Sequence, residues 1–319
     1  MSLIKGADMR SLNFLQKSFF GILSATPFLW SSVAQPRTTD PEKDIVIAII
    51  DTGIDVNHPL IKDNLWVNPK EKINGLDNDG NGYAGDLHGW NFVSENSDVN
   101  DSHGHGTHIA GIIRQRTLSS RVKFMVLKYY DPEQSGRVNL VNTVRAIRYA
   151  IKMKADIINY SGGGDTRSAL EEQAIREAQE KGILFVAAAG NDGRNTDKMG
   201  YYPAGYKLKN IISVAAMDSD RHLIDSSNYG SQSVDIAAPG KNVYSSLPGG
   251  QFGMMTGTSQ ATAWVTGLAA ALMLQNPTLR DPELIKLKLE TEGIRDRSLA
   301  GKLKSNVRIT ALQNDISSL

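Results

Sequence analysis

The sequence contains no cysteine. That excludes disulfide bridges, a cysteine nucleophile and thiolate metal sites, and leaves the redox compartment open. Charge of one sign does not accumulate either: 35 basic and 34 acidic side chains leave a formal net charge of +1. So small an imbalance sets up no field for nucleic acid or an anionic membrane, and no nucleic-acid partner is expected. The N-terminal stretch FFGILSATPFLW, residues 19–30, is too short to span a bilayer as a helix, and no other segment reads as transmembrane. Internal repeats and low-complexity tracts are missing. What is present, 40% hydrophobic and 22% charged side chains in 319 residues, suits a globular chain that can bury a sizeable core without staples.

Lys5, Arg10 and Lys17 precede the apolar stretch, and small Ser32 and Ala34 follow it. A basic region, a short apolar region and a small-residue cleavage site predict a secretory signal peptide over 1–34, with Met9 a natural start. The expectation is a secreted or periplasmic protein with no stable membrane insertion once the signal is removed. Residues 35–44 are polar and read as a linker, and 45–315 as one domain.

In that domain, short apolar runs alternate with helical patterns. The runs are 45–50, 122–127, 156–160, 183–189 and 211–216, each apolar throughout, as in strands buried on both faces. Helices are expected at 108–115, 140–154 and 168–182, the last with Asp165 and Thr166 as cap candidates, and a buried helix from 257 to 275. The alternation predicts an α/β fold, a mostly parallel central sheet with helices on both faces. In such sheets, sites form at the carboxyl ends of the strands.

Four residues lie at strand or helix ends that such a sheet would gather on that edge. Asp51 closes the first run in IAIIDTGID, and Asn191 follows the fourth in AAAGND. His105 stands between two glycines in DSHGHGTH, and Ser259 opens the last helix in GTSQATAW. Each has an ordinary alternative: Asp51 and Asn191 as turn residues, His105 as half of a metal pair with His108, and Ser259 as a helix cap. His108 reads as a core histidine bonded to backbone. Taken together, the four supply a nucleophile, a general base, a carboxylate that orients it and a donor for an oxyanion, the requirements of acyl transfer.

The blocks DTGID, HGHGTHIAG, AAAGND, VDIAAPG and GTSQA, in that order from residue 45 to about 312, resemble the signatures of subtilisin-like serine proteases. INYSGGG, YPAGY and SSNYG add to the match. The resemblance implies the subtilisin-like fold and peptide-bond hydrolysis of a peptide or protein substrate through an acyl-enzyme. It assigns nucleophile to Ser259, base to His105, carboxylate to Asp51 and oxyanion donor to Asn191. It also implies that Ser161, Gly162 and Gly163 pair with an extended substrate, and that Ala188 and Gly190 help wall its first pocket. Those walls carry no charge, which favours a broad or apolar preference, with Asp165 nearby. Two alternatives stay open: a binding protein of the same fold with little hydrolysis, and an enzyme passing the acyl group to an amine.

The sequence departs from the family where methionine usually follows the serine, here Gln260, and where proline and histidine usually stand, here Ala263 and Trp264. Secreted members generally carry an inhibitory prodomain before the catalytic domain, whereas residues 35–44 alone separate the expected signal from the first strand. Finally, GLDNDGNGYAGD places Asp77, Asp79 and Asn81 at every second position. With the Tyr83 carbonyl and Asp86 they form a candidate structural calcium cage, the alternative being a metal-free polar turn.

Overall fold

The structure, a computed structural model, describes residues 43–312. The signal peptide expected over 1–34, most of the 35–44 linker and the last residues of the 45–315 domain lie outside the described residues.

The first strand, β1 (Ile45–Asp51), is apolar on both faces because both are covered. Ile45, Ile47 and Ile49 pack with Ile109 and Ile113 of α1 (His105–Thr117) and Leu268 of α4 (Thr258–Gln275). Ala48 and Ile50 turn the other way, into the core that Ile147 of α2 (Gly136–Lys152) and Ile175 of α3 (Ala169–Glu180) also enter. Alternate side chains thus enter two separate cores, one on each side of the sheet.

β1 lies between β3 (Val122–Lys128) and β4 (Ile157–Tyr160), parallel to both. Beyond them are β2 (Gly89–Asn91) next to β3, then β5 (Leu184–Ala188), β6 (Ile211–Met217) and β7 (Ile236–Pro239) on the far side of β4. Two short strands, β10 (Ile294–Arg295) and β11 (Val307–Arg308), complete a nine-stranded sheet in the order β10-β11-β7-β6-β5-β4-β1-β3-β2. Only the β10–β11 pair is antiparallel. β8 (Val243–Leu247) and β9 (Gln251–Met255) form a separate hairpin, and α5 (Pro282–Glu292) follows α4. The chain leaves β1 for β3 on one side and returns across it to β4 on the other. Strand order therefore reverses beside Asp51, the place where open α/β sheets form their crevice.

This is the mostly parallel sheet with helices on both faces that the alternation predicts. Three details differ. α1 starts at His105, three residues before the expected helix. α2 starts at Gly136, where Ser135 Oγ caps the Val138 N–H. In α3 the cap is Ser168, not Asp165 or Thr166. α4 is buried almost all round, as its unbroken apolar sequence requires. Among the described residues no helix is long and apolar enough to cross a membrane.

Candidate active site

Asp51 ends β1 and is buried. Its Oδ1 accepts the Thr52 N–H at 2.8 Å and lies 2.7 Å from His105 Nδ1. The approach depends on the residue after the histidine. A Cβ on Gly106 would stand 2.1 Å from the Gly53 carbonyl oxygen and 3.2 Å from Asp51, so only glycine lets α1 come this close to β1.

The head of α1 is held by a residue that sequence reasoning missed. Asp101, itself buried, accepts the His103 and Gly104 N–H groups and the Thr52 hydroxyl on Oδ1, at 2.9, 2.9 and 3.0 Å. Its Oδ2 accepts both the N–H and the hydroxyl of Thr107, at 2.9 and 2.7 Å. Thr52 Oγ1 in turn accepts the Gly106 N–H at 3.0 Å. One carboxylate so ties the end of β1 to the first turn of α1. An aspartate three residues before a glycine-led helix is a capping signal that could have found it.

Burial alone would depress the pKa of His105. The charge of Asp51, its hydrogen bond and the charge of Asp101 outweigh this and raise it above the ordinary histidine value. With Nδ1–H donated to Asp51, the neutral ring keeps its lone pair on Nε2. His108, one turn on, is fully buried, with Nε2 3.2 Å from the Gly253 carbonyl oxygen. Among the described residues its Nδ1 has no hydrogen-bond partner, so the core-histidine reading holds for one nitrogen only.

Ser259 is the second residue of α4. Its hydroxyl donates to the Ser161 carbonyl at 3.0 Å, and among the described residues it does not bond to the His105 ring. Its N–H, in the first turn, has no intrahelical acceptor. Asn191 lies against the same helix end. Its Oδ1 accepts the Thr258 N–H at 2.8 Å and the Thr258 hydroxyl at 3.1 Å. A backbone N–H can only donate, so the amide orientation is fixed, and among the described residues Nδ2 is the end without a hydrogen bond. Thr258 Oγ1 also accepts the Gly190 N–H at 3.2 Å, joining the loop after β5 to the head of α4. Asn228 pins that loop from the other side, its Oδ1 accepting the N–H groups of Asp192 and Arg194 at 3.1 and 3.0 Å. Ends of β1 and β5 and heads of α1 and α4 thus meet at the carboxyl edge of the sheet.

The glycines expected to admit substrate have closer neighbours inside the protein. A Cβ on Gly162 would meet the Tyr129 hydroxyl at 2.2 Å, and one on Gly163 the Tyr202 carbonyl oxygen at 2.5 Å. At Gly190, which has a φ of +99°, it would meet Asn228 Nδ2 at 2.3 Å. Gly164 and Tyr202 exchange two backbone hydrogen bonds, at 2.8 and 2.7 Å, so the segment is already paired at that end. Ala188 is enclosed in the sheet. Ser161 stays at the edge, where its carbonyl meets Ser259.

Gln260 and Ala263 are buried in α4. Trp264 finds the partner its indole needs: Nε1 donates to the Thr310 carbonyl at 2.9 Å, and the Arg116 guanidinium lies 4.1 Å above the ring.

The loop around Asp77 divides its candidate ligands. Asp77 and Asp79 converge with Glu71, which the every-second-residue pattern did not include; one carboxylate oxygen of each lies within 4.8 Å of the others. Asp86 turns inward and is fully buried. It accepts from Tyr149 Oη at 2.6 Å, Asn81 Nδ2 at 2.7 Å and Asn68 Nδ2 at 3.0 Å, and burial raises its pKa despite these bonds. Asn81 Oδ1 accepts the Tyr83 N–H at 2.7 Å.

Comparison with known proteins gives one consistent picture. A model of the subtilase family matches residues 42–308. The chain is 35% identical over 237 residues to the thermophilic serine proteinase of Bacillus sp. (strain AK1), covering 72% of this chain and 52% of that one. It is 32% identical over 241 residues to the major intracellular serine protease of Bacillus subtilis (strain 168), covering 72% and 68%. The chain thus spans about half the length of the first of these relatives. A cold adapted subtilisin-like serine proteinase of known structure superposes with a TM-score of 0.69 at 24% identity, over 85% of this chain and 90% of that one. At that identity the likeness speaks for the fold.

Proposed function

The chain belongs to the subtilase family, and from that premise we propose that it is a serine endopeptidase using Asp51, His105 and Ser259. The observation that carries the proposal is the 2.7 Å Asp51–His105 bond at the sheet edge that also holds the head of α4. In this reading Ser259 Oγ leaves the Ser161 carbonyl, turns to His105 Nε2 and attacks the substrate carbonyl while the ring takes its proton. His105 then gives that proton to the leaving amine, and water resolves the acyl-enzyme by the same exchange in reverse. Asp51 stabilises the transient imidazolium. Asn191 Nδ2 and the Ser259 N–H donate to the oxyanion.

A fluorophosphonate probe tests the assignment. It is expected to modify Ser259 and no other residue, and Ser259→Ala is expected to fold and to cleave nothing. Labelling elsewhere, or activity in the variant, overturns it. Adding an amine acceptor and analysing products separates hydrolysis from acyl transfer.

Calcium remains part of the proposal, with a changed ligand set. Three converging carboxylates suit a hard cation that takes oxygen ligands, so Glu71, Asp77 and Asp79 would hold it. Asp86 and Asn81 serve the loop from within. Export is proposed on the pattern of residues 1–34 alone, since a relative is named as intracellular. A mature N-terminus near residue 35 is expected on sequencing; an uncleaved leader in active protein overturns it.

A further inference from the structure

The stretch SALE, 168–171, has the spacing of a capping box, in which a glutamate turns back to the N–H of the capping serine. Half of the box forms: Ser168 Oγ accepts the Glu171 N–H at 3.3 Å. The other half does not. The Ser168 N–H donates to the Tyr206 hydroxyl oxygen at 3.0 Å, and Glu171 turns into the protein, where it is 3% exposed. Its Oε2 lies 2.9 Å from the same tyrosine hydroxyl, which is also 3.0 Å from the Ser168 carbonyl. One phenolic proton cannot serve both acceptors. The second carboxyl oxygen of Glu171 has no hydrogen-bond partner among the described residues. Leaving a buried carboxylate so poorly matched is costly.

Glu171 lines a cavity of about 590 Å³ together with Tyr129, Tyr160, Gly163, Asp165 and Arg137. Gly163 is two residues past Ser161, whose carbonyl holds the Ser259 hydroxyl. An extended peptide laid along this segment would send alternate side chains to opposite sides, one of them toward the cavity. Tyr129 and Tyr160 offer ring surface for an aliphatic stem and a cation.

We propose that Glu171 determines specificity, its carboxylate receiving the cation of a substrate lysine or arginine lodged in this cavity. The proposal rests on the peptidase reading above. It departs from the broad or apolar preference expected from the sequence. The titratable groups that feel Glu171 are Tyr206, Tyr160 and Tyr201, and the cavity wall adds Tyr129, Tyr130, Asp165 and the exposed Arg137. The cavity wall thus carries two carboxylates and one guanidinium. Burial raises the Glu171 pKa to about 7, against the bond from Tyr206. The carboxyl is therefore neutral below that pH and a basic-residue site above it.

The test uses peptides varied to lysine, arginine or leucine at each position on the acyl side of the cleaved bond. At one position, wild-type kcat/KM is expected to favour lysine or arginine over leucine by about tenfold near pH 8. The ratio should fall toward one as pH drops through about 7. Because it compares substrates on one enzyme, titration of His105 cancels. Glu171→Gln, which keeps an acceptor for Tyr206, should abolish the preference and its pH dependence, and Glu171→Leu should turn it to leucine. A preference that Glu171→Gln leaves unchanged at every position, in an enzyme that still cleaves, overturns the inference and leaves the peptidase reading intact. If no peptide is cleaved, the peptidase reading is what fails. Binding of the same peptides to Ser259→Ala, with and without Glu171→Gln, then decides on the cavity: tighter lysine binding lost with Glu171 supports it, equal binding overturns it.

Discussion

Thr258 donates its backbone N–H to Asn191 Oδ1 at 2.8 Å, and this fixes which end of the Asn191 amide is free. The free end is a donor. Asn191→Ala is expected to lower kcat by about 10² to 10³ with little change in KM, the range known for the oxyanion asparagine of subtilisin itself. Asn191→Asp keeps the shape but offers an acceptor in place of that donor, and should be no better than alanine. Steady-state kinetics on one amide substrate checks both, and an unchanged kcat removes Asn191 from the reaction.

The pKa of His105 is raised, and the general base must be neutral. Activity should therefore rise with pH through an apparent pKa above 6.5, the ordinary value for the ring. Asp51→Asn removes the partner that raises it most, so the residual activity should titrate at lower pH than wild type. The linkage to stability runs the other way. With the folded pKa raised, the contribution to stability is complete below the unfolded value and is lost as pH rises through the folded one. Profiles of kcat/KM and of unfolding free energy against pH should move in opposite directions over that window.

Asp101 accepts five hydrogen bonds from the end of β1 and the head of α1. Its removal leaves several buried donors unmatched. Asp101→Ala should cost roughly 3 kcal/mol of stability, read from denaturant melts. Asp101→Asn should cost less and should also lower the apparent pKa of activity, because the charge of Asp101 helps raise that of His105. A purely structural role would leave the pH profile in place.

For the Glu71, Asp77 and Asp79 cluster, calcium at about 100 times its dissociation constant would stabilise the fold by about 2.7 kcal/mol. A chelator should lower the melting temperature and excess calcium restore it. In Glu71→Gln with Asp77→Asn, both responses should vanish. An indifferent wild type, with no calcium found by elemental analysis, would leave the loop a hydrogen-bonded turn.

The four proposed reacting residues were legible because each stands where an apolar run meets a glycine turn or a helix begins. The central strands could be read for a related reason: both faces are buried, so their apolar runs are continuous. Strands such as β2, β10 and β11, of two or three residues, carry no pattern to read. Thr258 and Asn228 act on a loop 67 and 34 or more positions away, and no local pattern shows such a bond. Glu71 escaped because it lies outside the regular spacing of its partners. Glu171 escaped because its spacing gives a cap, whereas packing against Tyr206 turns it inward.

α4 has a consequence for how this protein survives its own proposed activity. The helix fills the core on one side of the sheet and carries Ser259 at its head, so its first turn cannot open locally. Its amides should exchange with solvent only through global unfolding. A copy that presented this segment to another copy would already have lost its nucleophile. Self-cleavage should therefore begin in surface segments such as the exposed stretch 72–78, with the nucleophile helix the last part of the chain to be cut.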